Sequence, residues 1–377
     1  MTATQHRATV DMGSLLAGVP QTGVGSAIDV FAEADAERQR GRQLALIRAA
    51  APTFRHWFAG TGTPDAVMTY DLISLPYPTK FGLFRAAVTP APYLTITNRM
   101  LVIRWRDGDG TTKTLLFEPS DHELGENTPY FAALASKLPA PARSITVSTH
   151  GTVLTQLAAA GVAPEDVDYI VFDHLHTQDV RRLIGTTVPQ QDIAPEAPAV
   201  PWLPNARMIV QRSELEAMAA LHPLQRPWYQ PETYADLRPE GLLTIDGDVL
   251  LGPGVAILAT PGHTIGNQSL VLNTSTGIWA SSENVIATEC LTPEVSRIPG
   301  LSRWAHRWGQ ELIINANTIE STAEQYNSCV KEKLVVDRSA TDARFLQFFP
   351  SSELTRSRLS PGAAPTFTHG GIHHRKG

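Results

Sequence analysis

The sequence predicts a mixed α/β fold of two β-sheets flanked by helices. Three observations carry that expectation. Runs of β-branched and aromatic residues fall into two separate groups, at 66–119 and 241–281. Stretches of helical character lie before, between and after them. Gly and Pro, 27 and 28 in number, punctuate the chain without forming a repeat. The 377 residues suffice for one large domain or two ordinary ones, because a single core stops growing near roughly 250–300 residues.

Taken in order, residues 1–25 show no periodicity and read as a flexible start. From Ser26 to about Phe58 the pattern predicts a helix, with ERQRGRQ (37–43) solvated, LALIRAA (44–50) buried and Gly41 as its weak point. GTGTP (60–64) breaks the chain. MTYDLISLPYP, YLTITNRMLVIRW and TKTLLFEP then read as strands, with RDGDG (106–110) as a hairpin turn. TVLTQLAAAG (152–161) predicts a short helix stopped by Gly161, and APEDVD (163–168) leads into the strand YIVF (169–172). A helix is expected around RSELEAMAALH (212–222), and strands in GLLTIDGDVLL, GVAILAT, SLVLN and GIWAS. A helix over 321–338, a short strand FLQFF (345–349) and a loop-like tail close the chain. The expected organisation is an N-terminal extension with a helix (1–65), a main domain (66–353) and a tail (354–377).

Charge and cysteine usage exclude several functions. Lys and Arg number 31 against 37 Asp and Glu, a net charge of −6, which argues against nucleic-acid or anionic-membrane partners. No run approaches the ~18 apolar residues of a membrane span. The segment 12–28 comes nearest to a signal sequence, but Pro20 and Gln21 interrupt it and no basic cluster precedes it. Cys290 and Cys329 are too few for a disulfide framework and are expected to be reduced, buried thiols. The expectation is a cytoplasmic protein acting on a small molecule.

The chemistry concentrates where YIVF ends in Asp173-His174-Leu175-His176-Thr177-Gln178-Asp179. Alternate residues of an extended chain point the same way, so His174 and His176 can face one point. Further on, His263 sits in a Pro-Gly turn between two strands, and GIWASSE ends in Glu283. Three imidazoles and a strand-end carboxylate form a plausible metal shell, since catalytic zinc takes three protein ligands and keeps one position open.

The run GVAPEDVDYIVFDHLHTQD, followed by TPGHTIGNQSLVL and IWASSENV, resembles the metallo-β-lactamase superfamily over roughly 90–353. That resemblance implies a four-layer αββα sandwich of two mixed β-sheets, with a metal site along one edge. His174, His176 and His263 match its three-His site. The second metal site is altered throughout. The family's Asp falls on Gln178 and its next His on Asp179. Glu283, preceded by Ser282, replaces the bridging Asp, and Ser351-Ser352-Glu353 stands where a late His is usual. The Tyr that the family's lactonases carry after the bridging carboxylate is Ile286 here.

The resemblance implies a hydrolase that uses a metal-bound hydroxide on an ester, lactone, thioester, amide or phosphodiester. Zinc is expected at the three-His site, one ion in number. A second ion on Asp179 and Glu283 would be Mn, Fe or Mg, given oxygen ligands. Asp179 and Glu283 are the expected catalytic residues as well as candidate ligands, Asp179 as general base or support for a histidine. Two alternatives stand beside this: an iron-dependent redox enzyme, and a non-catalytic binding or scaffold member with a relic site. His369 is a candidate for the late ligand, against a mobile tail. His122 and Glu123 read as a surface loop, and Trp304, Trp308, Tyr326 and Cys329 as core packing. The N-terminal helix is expected to pack on the sandwich or on a second subunit, which leaves a homodimer open.

Overall fold

The computed structural model describes residues 12–19, 23–137, 146–316, 321–358 and 360–376. Its larger sheet has nine strands, in the order Leu242–Ile245, Arg207–Gln211, Tyr169–Val171, Thr112–Phe117, Tyr93–Arg106, Ala66–Pro78 and His374–Arg375. Ser352–Thr355 pairs beside Tyr93–Arg106, and Ser148–Thr149 beside Ala66–Pro78. The strands from Thr112–Phe117 to Leu242–Ile245 run parallel, the others antiparallel. The smaller sheet is antiparallel throughout, in the order Ser26–Ala27, Val249–Gly252, Val255–Ala259, Gln268–Thr274, Gly277–Ser281.

The period of two in a strand explains how the layers stack. In Tyr93–Arg106, Leu101, Ile103 and Trp105 face Val255, Ile257, Leu270 and Leu272 of the smaller sheet. Met100 and Val102 point the other way, into an apolar layer with Leu157 and Leu215 of the helices Val153–Ala160 and Arg212–Ala219. Both faces of this strand are buried, which is why MLVIRW reads as an almost unbroken apolar run. The outer face of the smaller sheet is covered by Arg40–Ala59, Leu301–Trp308 and Thr322–Val335. In Arg40–Ala59, Ile47, Ala51, Phe54 and Phe58 recur at helical spacing and form its buried stripe. The result is the four-layer αββα sandwich.

Several elements depart from the sequence reading. The long helix begins at Arg40, where the Gln39 side chain accepts a hydrogen bond from the Arg42 amide. Ser26–Ala27 instead extends the smaller sheet, and Ala32–Ala36 is a separate short helix that follows fully buried Phe31. Met12–Gly18 is helical and packs against Arg212–Ala219, with Leu15 buried. FLQFF makes only isolated bridges at Leu346 and Phe348, and is apolar because it is buried. The tail is held, since His374–Arg375 pairs with the strand Ala66–Pro78. Trp304 packs on the core but Trp308 is 57% exposed. Cys290 and Cys329 are buried free thiols. Among the described residues no helix is long and apolar enough to cross a membrane.

A buried ion pair locks the outer helices to the smaller sheet. Lys331 lies 2.9 Å from Asp248, both nearly inaccessible, and sits 4.4 Å from the Phe31 ring. Removing one partner leaves an uncompensated buried charge, which costs about 3–5 kcal/mol. Lys331→Met is therefore expected to lower the unfolding free energy by that amount in denaturant titrations. Adding Asp248→Leu should recover most of the loss, and failure to recover it would mean the pair is not the cause.

Candidate metal centre

The fold brings His174, His176 and His263 to one point. One ring nitrogen from each lies within 4.8 Å of the others, and all three residues are buried. The ring centroids are 4.6, 4.7 and 5.2 Å apart. The first two histidines follow the strand Tyr169–Val171, at the carboxyl edge of the parallel strands, where α/β sheets place their sites. Between them Leu175 is buried in the helix-side core and anchors the loop. Thr177 turns the chain with a φ of 62°, and its amide donates to the Trp228 carbonyl at 2.7 Å. His263 rides on the connection between Val255–Ala259 and Gln268–Thr274.

One side chain clamps both histidine loops. The Glu214 carboxylate accepts from the Leu175 amide (3.0 Å) and the Tyr229 hydroxyl (2.7 Å) on one oxygen. Its other oxygen accepts from the Thr264 hydroxyl (2.7 Å) and the Gly266 amide (3.0 Å). The close fit requires glycine: a Cβ at position 266 would lie 2.4 Å from the Glu214 amide nitrogen. At Gly262, with φ +125°, it would lie 2.1 Å from the Gln325 nitrogen. Sequence reading missed Glu214. Its signal was a carboxylate on the apolar face of a helix, one position before Leu215 and four before Met218, all three buried.

Asp173 organises the charge. One of its oxygens meets His174 Nδ1, while the other accepts from the Glu283 amide (2.6 Å) and the Ser351 hydroxyl (2.8 Å). Burial opposes a charge on His174, but Asp173 outweighs it and raises the imidazole to about 9. His263 falls to about 3 through burial and then the His174 charge, and His176 is driven well below its ordinary value by burial and its two neighbours. His176 and His263 are thus neutral, with lone pairs to offer. His263 Nδ1 donates to the Asn315 carbonyl at 3.1 Å. Nδ1 of His174 and His263 is thus held from the side by an oxygen acceptor, the arrangement metal-binding histidines use.

Glu283 stands on the wall of a cavity of about 480 Å³ that also exposes His174 and His176. Burial pushes its carboxyl up to about 7, against the pull of charged His174. It accepts from Asn315 Nδ2 (3.2 Å), and Asn315 in turn accepts from the Tyr77 phenol (2.9 Å); the Ser352 and Asn315 side chains draw its carboxyl back down. Glu118 accepts from the Asp173 amide at 2.6 Å, and burial, then Asp173, hold its acid far above the usual range. Sequence reading missed Tyr77, Glu118 and Asn315, which come from distant segments and carry no motif.

Asp179 stands apart from the three histidines. Both its oxygens are taken by the Arg181 guanidinium, at 2.7 to 3.2 Å, and one also by the Arg181 amide. Arg181 continues to Asp192 at 2.7 and 2.8 Å. Asp179 belongs neither to the histidine cluster nor to the residues lining the cavity. Gln178 donates to Ser120 Oγ at 3.0 Å. His369 donates to the Leu346 carbonyl at 2.7 Å and lies edge-on to Trp279, apart from the cluster. His122 and Glu123, read as surface loop, border the cavity. Ile286 is fully buried in the core.

No protein-family model matches the chain. Over 122 residues it is 34% identical to an N-acyl homoserine lactonase of Bacillus thuringiensis, and 30% identical to one of Bacillus cereus. That stretch is 32% of this chain, and it spans 39% of the length of these curated relatives. Solved structures similar to it include a quorum-quenching N-acyl homoserine lactone lactonase, 21% identical, covering 66% of this chain and 87% of that one, with a TM-score of 0.42. The dizinc quorum-quenching lactonase AidC is 12% identical, covers 82% of this chain and 96% of its own, and has a TM-score of 0.48. Over the matched stretch the chain is similar in sequence to N-acyl homoserine lactonases.

Glu214→Ala leaves four donors around a buried void. It is expected to cost about 3 kcal/mol or more of unfolding free energy. A loss below 1 kcal/mol in a denaturant titration would show that the carboxylate does not clamp the loops.

Proposed function

We propose that this protein is a metal-dependent hydrolase of uncharged carbonyl compounds, with a single zinc ion held by His174, His176 and His263. The observation that carries the reading is the buried three-imidazole cluster beside a cavity whose wall presents Glu283. His176 and His263 are neutral, and His174 releases its proton when an ion binds; three nitrogen donors at this spacing then suit zinc and leave a position open. When bound, the ion supplies a Lewis acid for a carbonyl oxygen and lowers the pKa of water.

The chain's own residues do the rest. Asp173 fixes the His174 ring, and the Asn315 carbonyl fixes that of His263. Glu283, steadied by Asn315, accepts the proton released at the reacting centre and returns it to the leaving group. A second ion is not part of the proposal. Arg181 already satisfies Asp179, position 178 is an amide, and Ser351 donates its proton to Asp173.

The cavity's charge narrows the substrate. Glu118, Asp121, Glu123, Glu126 and Glu283 line it, and no Lys or Arg does so among the described residues. Arg182 pairs with Asp121 and Glu123 from behind the wall and Glu118 is held as the neutral acid, so the lining offers an anion no cation of its own and favours neutral esters or lactones. The names of the curated relatives support a lactone or similar ester.

Two measurements test this. Mass-spectrometric metal analysis of untagged protein should find about one zinc per chain, and none in His263→Ala. No metal after reconstitution would end the hydrolase reading, two ions per chain would end the single-ion one, and iron would point to redox chemistry. Asp179→Asn should keep its zinc and its activity on a neutral ester, while losing about 2–3 kcal/mol of stability as buried Arg181 is left with a weaker partner. Loss of zinc from this variant would restore Asp179 as a ligand.

A further inference from the structure

Glu283 leaves the smaller sheet just past the strand Gly277–Ser281, and its main chain is fixed on both sides. Its amide donates to Asp173 at 2.6 Å, and its carbonyl accepts from Asn315 Nδ2 at 3.0 Å. The carboxylate is held by the same Asn315 Nδ2, at 3.2 Å. Asn315 is fully buried. Its amide donates to the Asn284 carbonyl at 2.9 Å, and its own carbonyl accepts from His263 Nδ1 at 3.1 Å. One residue therefore joins a candidate ligand to the proton-handling carboxylate.

Hydrogen bonding decides which way the Asn315 amide faces. The Glu283 main-chain carbonyl can only accept, so the group turned toward it is the NH₂. Asn315 Oδ1 is then turned to the Tyr77 phenol at 2.9 Å, and of these two oxygens only the hydroxyl has a proton to give. Tyr77 comes from the last turn of the sheet, at the end of the strand Ala66–Pro78, lines the cavity and is 3% exposed. Glycine at 82 leaves room for its ring: a Cβ there would lie 3.1 Å from Tyr77 Cδ1 and 2.7 Å from Ile286 Cδ1. Without the phenol, Asn315 Oδ1 would be a buried acceptor lacking a donor, a cost that turning the amide relieves. Turning it takes Nδ2 away from Glu283.

We propose that Tyr77 is a positioning residue of the hydrolytic site, whose phenol holds the Asn315 amide in the orientation that fixes the Glu283 carboxylate relative to His263. Tyr77 acts through Asn315, without touching the reacting atoms. A catalytic group that is aimed wrongly slows the reaction more than it weakens binding, so the effect falls on kcat. The inference rests on the hydrolase reading above and adds to it the group that aims its base.

The test uses zinc-loaded protein and two uncharged compounds, phenyl acetate and δ-valerolactone. Tyr77→Phe keeps the ring and removes only the hydroxyl. It should lower kcat roughly tenfold, with KM and zinc content unchanged. Asn315→Ala should lower kcat at least as far, and adding Tyr77→Phe to it should cost nothing more, because both losses pass through one carboxylate. A second readout needs no activity. In isotopically labelled, metal-free protein, solvent exchange of the Asn315 side-chain amide protons, followed by NMR, should speed roughly tenfold in Tyr77→Phe. Unchanged kcat or unchanged exchange in Tyr77→Phe, or losses that multiply in the double variant, would overturn the proposal. If Asn315→Ala does not fold, kcat and exchange in Tyr77→Phe decide by themselves. Wild-type protein that loads zinc yet hydrolyses neither compound would bring down the hydrolase reading, and this role with it. An active wild type beside an equally active Tyr77→Phe would bring down this role alone.

Discussion

The Glu214 carboxylate is the interaction on which the rest of the site depends. His174 and His176 leave the larger sheet, His263 leaves the smaller one, and nothing local to either loop aims them at a common point. Glu214 comes from a third element, the helix Arg212–Ala219, and bonds the backbone and side chains of both loops at once. A carboxylate taken out of water must find several donors to be tolerated. It therefore imposes a definite position on each loop that supplies them. Glycine at 266 belongs to the same constraint, since any side chain there would push the loop off the helix.

Around that clamp the protein buries an unusual amount of acid. Asp173, Glu118 and Glu332 are all within the interior, Asp173 and Glu332 tied to several donors and Glu118 to the Asp173 amide. Glu332 joins the helix Thr322–Val335 to Ser282 and Asn284, just beside Glu283. These groups set the electrostatic character of the site. One positive charge is held by the Asp173–His174 pair, two imidazoles stay neutral, and the carboxylates around them make a wall that suits a cation at the centre and uncharged molecules in the cavity.

The positions beyond the three histidines, where the sequence departs from the motif it resembles, have other partners in this fold. The residues there have formed other attachments. Asp179 is consumed by Arg181, which is itself held by Asp192 and Gln190. Ser351 contributes its hydroxyl to Asp173.

Much of this was legible without coordinates. The two strand groups, the helix ended by Gly161, and the three histidines follow from period, turn chemistry and spacing, which are local properties of a chain. Motif position named Asp179 but not the neighbour that reaches it, and Arg181, two residues on, holds both its oxygens. FLQFF misled for a related reason: burial makes a segment apolar whether or not it pairs as a strand. By itself the sequence determined the layered α/β class, the acidic balance and the identity of the three imidazoles. Only the tertiary structure decided that Glu214 joins their loops, that Asn315 meets Glu283 beside the cavity, and that Arg181 holds Asp179. The first two relations link residues far apart in the chain, and periodicity carries no information about distance in space.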